Sequence, residues 1–225
     1  CGSLLGSRRM RLGRHPITSV FLLGIASAAC AATAFVLAVP APRTRVLIAT
    51  PMTPLSAIAY YAQASDSGRP DGVALDIEEF NLGRDALAAL LRDERLHYAL
   101  CADTVFVHAL VTEQPVVAIA CVAESDTMLR VIARSDRGIA THPDLVWRRL
   151  GVAVRTNAHY AADVLASWLQ DTTGEQPEVV TFDEPRAVAE ALVAGTIDAA
   201  ILWHPYLGEV GRRLGGAPTL LPLSE

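Results

Sequence analysis

The 225 residues carry a formal net charge of −5 and 52% apolar side chains, which is ample for an α/β core and gives no electrostatic reason to expect nucleic-acid binding. All 19 positions counted as Lys or Arg are Arg, so chemistry through a lysine Schiff base is excluded for this chain. The four cysteines, Cys1, Cys30, Cys101 and Cys121, show no CxxC or Cys/His ligand spacing, which argues against a structural zinc site.

Residues 1–16 hold Arg8, Arg9, Arg11 and Arg14 and no acidic residue, and lead into the uncharged run 17–39. That run has about the length of a bilayer-spanning helix. The cationic flank predicts a cytoplasmic N-terminus, hence an inner-membrane anchor with the soluble body in the periplasm. An uncleaved anchor is expected. Cleavage at Ala32-Thr33-Ala34 and lipidation of Cys30, after Ser27-Ala28-Ala29, are the alternatives. Residues 40–44 form a short linker.

The rest of the chain reads as two lobes, 45–133 and 134–225. In the first, Arg45–Ala49 reads as a fully buried strand, and Thr53 with Pro54 as the cap and first residue of a helix to about Ala64. Asp66–Gly72 is a turn-rich loop, and Val73–Phe80 has the alternation of a strand. Ala86, Leu87, Leu90 and Leu91 form a helical stripe, followed by a strand over Leu96–Cys101, a short helix over Val105–Val111 and a near-continuous apolar strand over Pro115–Ala123. Cys101 and Cys121 read as small buried hydrophobes, with a bond between them left to geometry.

Leu129–Ala133 is the strand near which the lobes join. A short helix around Pro143–Arg149, a strand over Leu150–Val154 and a helix with a buried face of Ala161, Val164, Leu165, Trp168 and Leu169 follow. Val179–Phe182 is a strand. Glu184–Tyr206 then repeats the events of Gly83–Val107: an amphipathic helix striped by Val188, Ala191 and Leu192, a turn, and a buried strand over Ala199–Leu202. Thr219–Leu223 is a last apolar run. Alternating βα units predict parallel sheets covered by helices.

In order, RVLIATPMTP, GRDALAALLRDE with YALCADT, LRVIARSDRGI, HPDLVWRRLGVAVRTNAHY and EALVAGTIDAAILWHPYLG resemble the extracytoplasmic solute-binding proteins of nitrate/sulfonate/taurine-type ABC transporters, a family that includes binders of thiamine-pyrimidine precursors. The likeness runs from Arg45 to the C-terminus. It implies a type II periplasmic-binding-protein-like α/β fold of two lobes with a cleft between them. In that family the chain returns to the first lobe through a C-terminal segment, and this sequence stops about where the return would start, at Pro218–Glu225.

The resemblance also implies ligand contacts at loops after strands and at helix N-termini, where unpaired amides and a partial positive charge suit a sulfonate, nitrate or carboxylate. Four places qualify. Thr53-Pro54-Leu55 is a ligand loop or a plain helix start. Gly83 permits close backbone approach, and Arg84 offsets an anion's charge or is solvated. Asp103 and Thr104 end a strand, where Asp103 suits a ligand amine or caps a helix. Arg155, Thr156 and Asn157 open the long helix, with Thr156 or Asn157 as its cap, and form the leading candidate. Trp203 and Tyr206 either wall the cleft or pack the lobe.

There is no nucleophile elbow, HExxH or Gly-rich phosphate loop, so no enzyme, cofactor or metal is expected. The expected partners are a small solute, sulfonate-, nitrate- or taurine-like or else pyrimidine-like, and an ABC permease, with the membrane reached through residues 17–39. The alternative is the ligand-sensing domain of a signalling receptor.

Overall fold

The computed structural model describes residues 44–65, 70, 72–215 and 218–223. The basic N-terminus, the expected membrane segment 17–39 and most of the 66–72 loop lie outside the described residues. Thr44–Glu225 forms one compact unit built on two sheets.

The first sheet is three parallel strands, β1 (Thr44–Pro51), β2 (Val73–Phe80) and β3 (Tyr98–Ala99), in the order β2-β1-β3. Thr44 pairs with Val73 and Pro51 with Phe80, while Ile48 pairs with Tyr98 on the other side. After β1, Pro54 opens a 3-10 turn, Pro54–Ser56, that continues as α1 (Ala57–Ala64). Helix α2 (Gly83–Leu90) follows β2, and α3 (Asp103–Val111) follows β3. Ala86 and Leu87 of the expected stripe are buried, whereas Leu91 lies past the helix end and is exposed.

Expectation and structure part company in three places here. Strand β1 is buried only at its C-terminal end. Its pleat explains why: Leu47 and Ala49 pack with Ala86, Leu96 and Phe80, while Val46 and Ile48, on the opposite face, line an open hollow with Leu75 of β2. Parallel sheets are usually covered on both faces; here the second face is covered only beside β2, by α1, whose Tyr60 hydroxyl donates to Glu79 Oε1 at 2.9 Å. The expected strand Leu96–Cys101 shrinks to Tyr98–Ala99, an edge strand paired on one side only. The expected strand Pro115–Ala123 is absent: the segment has no ladder partner among the described residues, its bonds are local (Val116 N to Gln114 O at 2.9 Å, Cys121 Sγ to Ala123 O at 3.4 Å), and Val117 and Ile119 are 82% and 71% exposed. Strand propensity needs a neighbour to become structure.

The second sheet has five strands in the order β6-β5-β7-β4-β8: β4 (Arg130–Ala133), β5 (Arg149–Ala153), β6 (Glu178–Phe182), β7 (Ala199–Leu202) and β8 (Thr219–Leu221). β5 is parallel to β6 and β7; β4 runs antiparallel to β7 and β8. A 3-10 turn, His142–Leu145, replaces the expected helix before β5. Alternate residues serve two cores. Val131, Ala133, Ala199 and Ile201 face α4 (Asn157–Thr173); Ile132, Ala200 and Leu202 face α5 (Pro185–Ala194) and α6 (Tyr206–Arg213). Helix α5 starts with Pro185 and ends at Gly195 (φ 76°), and its last carbonyls accept from Arg134 (Leu192 O and Val193 O) and Arg137 (Gly195 O).

Helix α4 is rotated from its expected seat. It buries Ala158, Ala162, Leu165, Ala166 and Leu169, leaving Val164 49% and Trp168 41% exposed. The alanines let the helix lie close on the sheet, which turns the larger Val164 and Trp168 toward the hollow. Trp168 meets His142 edge-on at 6.2 Å, and His142 Nε2 lies 2.7 Å from Pro222 O.

Candidate functional site

Because β1, β2 and β3 are parallel, the residues that follow them, Thr53, Gly83 and Asp103, gather along one edge of the first sheet. The parallel β5, β6 and β7 likewise put Arg155, Asp183 and Trp203 along one edge of the second. Such carboxyl-terminal edges are where open α/β sheets bind ligands. The two edges meet at Arg84: its Nη1 donates to Val154 O, its Nη2 donates to Asp183 O at 2.5 Å, and Glu184 Oε1 lies 3.6 Å away.

Between them lies a hollow of about 1910 Å³ lined by nine of the expected residues, Thr53, Gly83, Arg84, Asp103, Thr104, Arg155, Thr156, Asn157 and Trp203. Pro54 and Tyr206 are not in its lining, and the side chain of Leu55 lies outside the described residues. Small-molecule pockets run to about 300–1,000 Å³, so a small solute fills part of this space. Much of the remaining wall is apolar, formed by Val46, Ile48, Val164, Trp168 and residues 115–123, with His97, Glu124, Asp126 and His142 among its polar members. Sequence reasoning missed that wall because it counted the same residues as core.

On the first-sheet side, Thr53 is extended, with Oγ1 3.4 Å from Ser56 Oγ and no capping bond. Ser56, 1% exposed, also lines the hollow; its spacing, one turn after Thr53, was the missed signal. At Gly83 a Cβ would meet Cys101 Cα at 3.0 Å and Ala102 N at 3.4 Å, so α2 starts against the loop after β3 with no room for a side chain. Asp103 is the first residue of α3, Ala102 being the cap, and Asp103 Oδ1 accepts from Thr104 N at 2.8 Å. The Thr104 hydroxyl is buried without a hydrogen-bond partner among the described residues. Cys101 and Cys121 are both free; Cys121 is exposed, against expectation, whereas burial foremost, then Asp103, pushes the half-buried Cys101 thiol up.

On the second-sheet side, of the two expected caps it is Thr156 that caps α4: its Oγ1 accepts from His159 N at 3.4 Å and donates to Ala153 O at 2.7 Å. Arg155 holds a left-handed φ of 56°, and its amide donates to His159 Nδ1 at 3.3 Å, so His159, not singled out from sequence, steadies the turn. The Arg155 side chain is exposed and has no carboxylate or carbonyl partner among the described residues. Trp203 is 5% exposed and stands edge-to-face with Tyr206 at 6.1 Å. Burial is the main cause that pushes the Tyr206 hydroxyl up, opposed by Arg186 and helped by Glu184 and Glu209. This aromatic pair packs the second lobe, with Trp203 also reaching the hollow.

Two α/β sheets whose carboxyl-terminal edges face one another across a hollow, with the antiparallel β4 set between β7 and β8 in the second, make up the type II periplasmic-binding-protein-like fold. Among solved structures, the chain is similar to the periplasmic aliphatic sulphonate binding protein SsuA from Escherichia coli, with a TM-score of 0.62 and 16% identity over 81% of this chain and 60% of that one. It is also similar to the alkanesulfonate-binding protein SsuA from Xanthomonas axonopodis pv. citri bound to MOPS, with a TM-score of 0.57 and 17% identity over 80% of this chain and 61% of that one. An ancestral arginine-binding protein bound to arginine gives a TM-score of 0.53 and 13% identity over 81% of this chain and 80% of that one. The chain thus spans less than two thirds of the length of the SsuA proteins, and at these identities the likeness establishes the fold. No family profile and no curated protein matches the chain.

Proposed function

We propose that the chain is the extracytoplasmic solute-binding component of an ABC importer, a non-catalytic protein that holds a small anionic organic solute in the hollow and delivers it to a membrane permease. The observation that carries this reading is Arg155: a cation in the wall of the hollow, at the N-terminus of the 17-residue α4, with no anionic partner among the described residues. Thr156 occupies the amide of His159 and leaves those of Asn157 and Ala158 without acceptors among the described residues. Helix dipole, free amides and guanidinium then act on one anionic group. Asp103 adds an anion to the same lining, which favours a zwitterion of the taurine type over a bare sulfonate, nitrate or pyrimidine.

The test is a thermal-unfolding screen of the full chain against taurine, ethanesulfonate, nitrate and thymine. A bound solute at a hundredfold over its Kd stabilises the folded state by about 2.7 kcal/mol. A raised midpoint with taurine or ethanesulfonate, lost in Arg155→Ala, supports the reading; no shift with any of the four sinks it.

A further inference from the structure

Among the described residues the backbone crosses between the two sheets once, through residues 112–129, which hold neither helix nor strand. A single irregular tether fixes neither distance nor angle, so side-chain contacts must set how the sheets face each other. Helix α3 lies against α4, and Leu82–Gly83–Arg84, at the start of α2, supplies the contacts at the strand ends. Leu82 is 4% exposed and packs into the second-sheet core rather than its own. Two residues on, the Arg84 side chain, 14% exposed, reaches the ends of two adjacent strands, donating to Val154 O after β5 and Asp183 O after β6, with Glu184 beside it. The planar guanidinium has paired donors that span two such oxygens; a lysine ammonium at that place would reach one.

We propose that Arg84 is an interlobe latch. Its fork ties the edge of the first sheet to two strand ends of the second, and Leu82 is the apolar peg beside it. The oxygen it holds belongs to the Val154–Arg155 peptide, so the latch also fixes the left-handed turn from which Arg155 projects. Arg84 is therefore a positioning residue, its charge committed to protein oxygens, and it needs no contact with solute. The inference stands apart from the solute reading, because its test contains no ligand.

Spin labels placed by Tyr61→Cys on α1 and Asp171→Cys on α4, both exposed positions, report the distance between the lobes in the full chain with its four native cysteines replaced. The unlatched Arg84→Ala variant is expected to shift that distance to longer values and broaden its distribution relative to the parent. Arg84→Lys, which keeps the charge but not the fork, is expected to fall between the two. A distribution in Arg84→Ala that superimposes on the parent overturns the latch. Should Arg84→Ala lose its far-ultraviolet circular dichroism, Arg84→Lys decides: a broadened distribution supports the latch and an unchanged one refutes it.

Discussion

Gly151 lies in the middle of β5, paired with Val180 on one side and Ala200 on the other. A Cβ there would come within 2.4 Å of Ile197 Cδ1, 3.2 Å of Val188 Cγ1 and 3.4 Å of Phe182 Cε2. Ile197 and Val188 are 1% and 0% exposed, so neither can swing into solvent to make way. Gly151→Ala therefore overpacks the face of the sheet under α5, at a cost of about 1–3 kcal/mol. The Ile197 methyl is the nearest obstacle, and Ile197→Val removes it at about 0.5–1.5 kcal/mol on its own. In the double variant the new methyl fills the space that Ile197→Val empties, so its loss should fall short of the sum by at least about 0.5 kcal/mol. Urea unfolding followed by circular dichroism measures all three, provided the slope m is unchanged. A neutral Gly151→Ala, or strict additivity in the double variant, would refute the packing described for this strand.

Val117, which the structure leaves 82% exposed, should tolerate Val117→Asp within about 0.5 kcal/mol; a loss of several kcal/mol would mean that the segment is packed as a strand after all. Asp144 accepts from Ala140 N at 3.0 Å and from Thr141 N and Thr141 Oγ1 at 2.8 Å each, and these bonds, that from Ala140 first, hold its carboxyl below the usual range. A carboxyl whose folded pKa is depressed contributes stability above its unfolded value, near 3.9 for Asp, and loses it as pH falls through the folded value. Wild type should accordingly exceed Asp144→Asn in urea midpoint at about pH 6, with the gap narrowing as pH falls below about 3.9; a gap independent of pH would contradict this.

Much of the second lobe was legible because its signals are local. Pro185 starts α5, Gly195 ends it with a left-handed turn, and the apolar run Ala199–Leu202 is a strand buried on both faces. A cap at Thr156 or Asn157 was legible for the same reason, and the fold settles on Thr156. What escaped depends on partners far along the chain. Pro115–Ala123 has the composition of a strand but no neighbour to pair with, and Val164 and Trp168 fit a helical stripe whose depth is set by how closely alanines let α4 approach the sheet. Arg84 gives the clearest case: its acceptors lie 70 and 99 positions away, and nothing in its own helix distinguishes it from a solvated residue. The strand-end loops bring most of the candidate residues to one hollow, since parallel topology alone gathers them. Which of their side chains remain free for a ligand depends on contacts that only the folded chain shows.

The central claim is that Arg155 receives the anionic group of a small solute within the hollow. Titration calorimetry of the full chain with taurine tests it most directly. A hydrogen bond to a charged group contributes about 1.5–3 kcal/mol, so Arg155→Ala should weaken binding by on the order of ten- to a hundredfold while leaving the urea midpoint unchanged. Equal affinity in wild type and Arg155→Ala would contradict the claim.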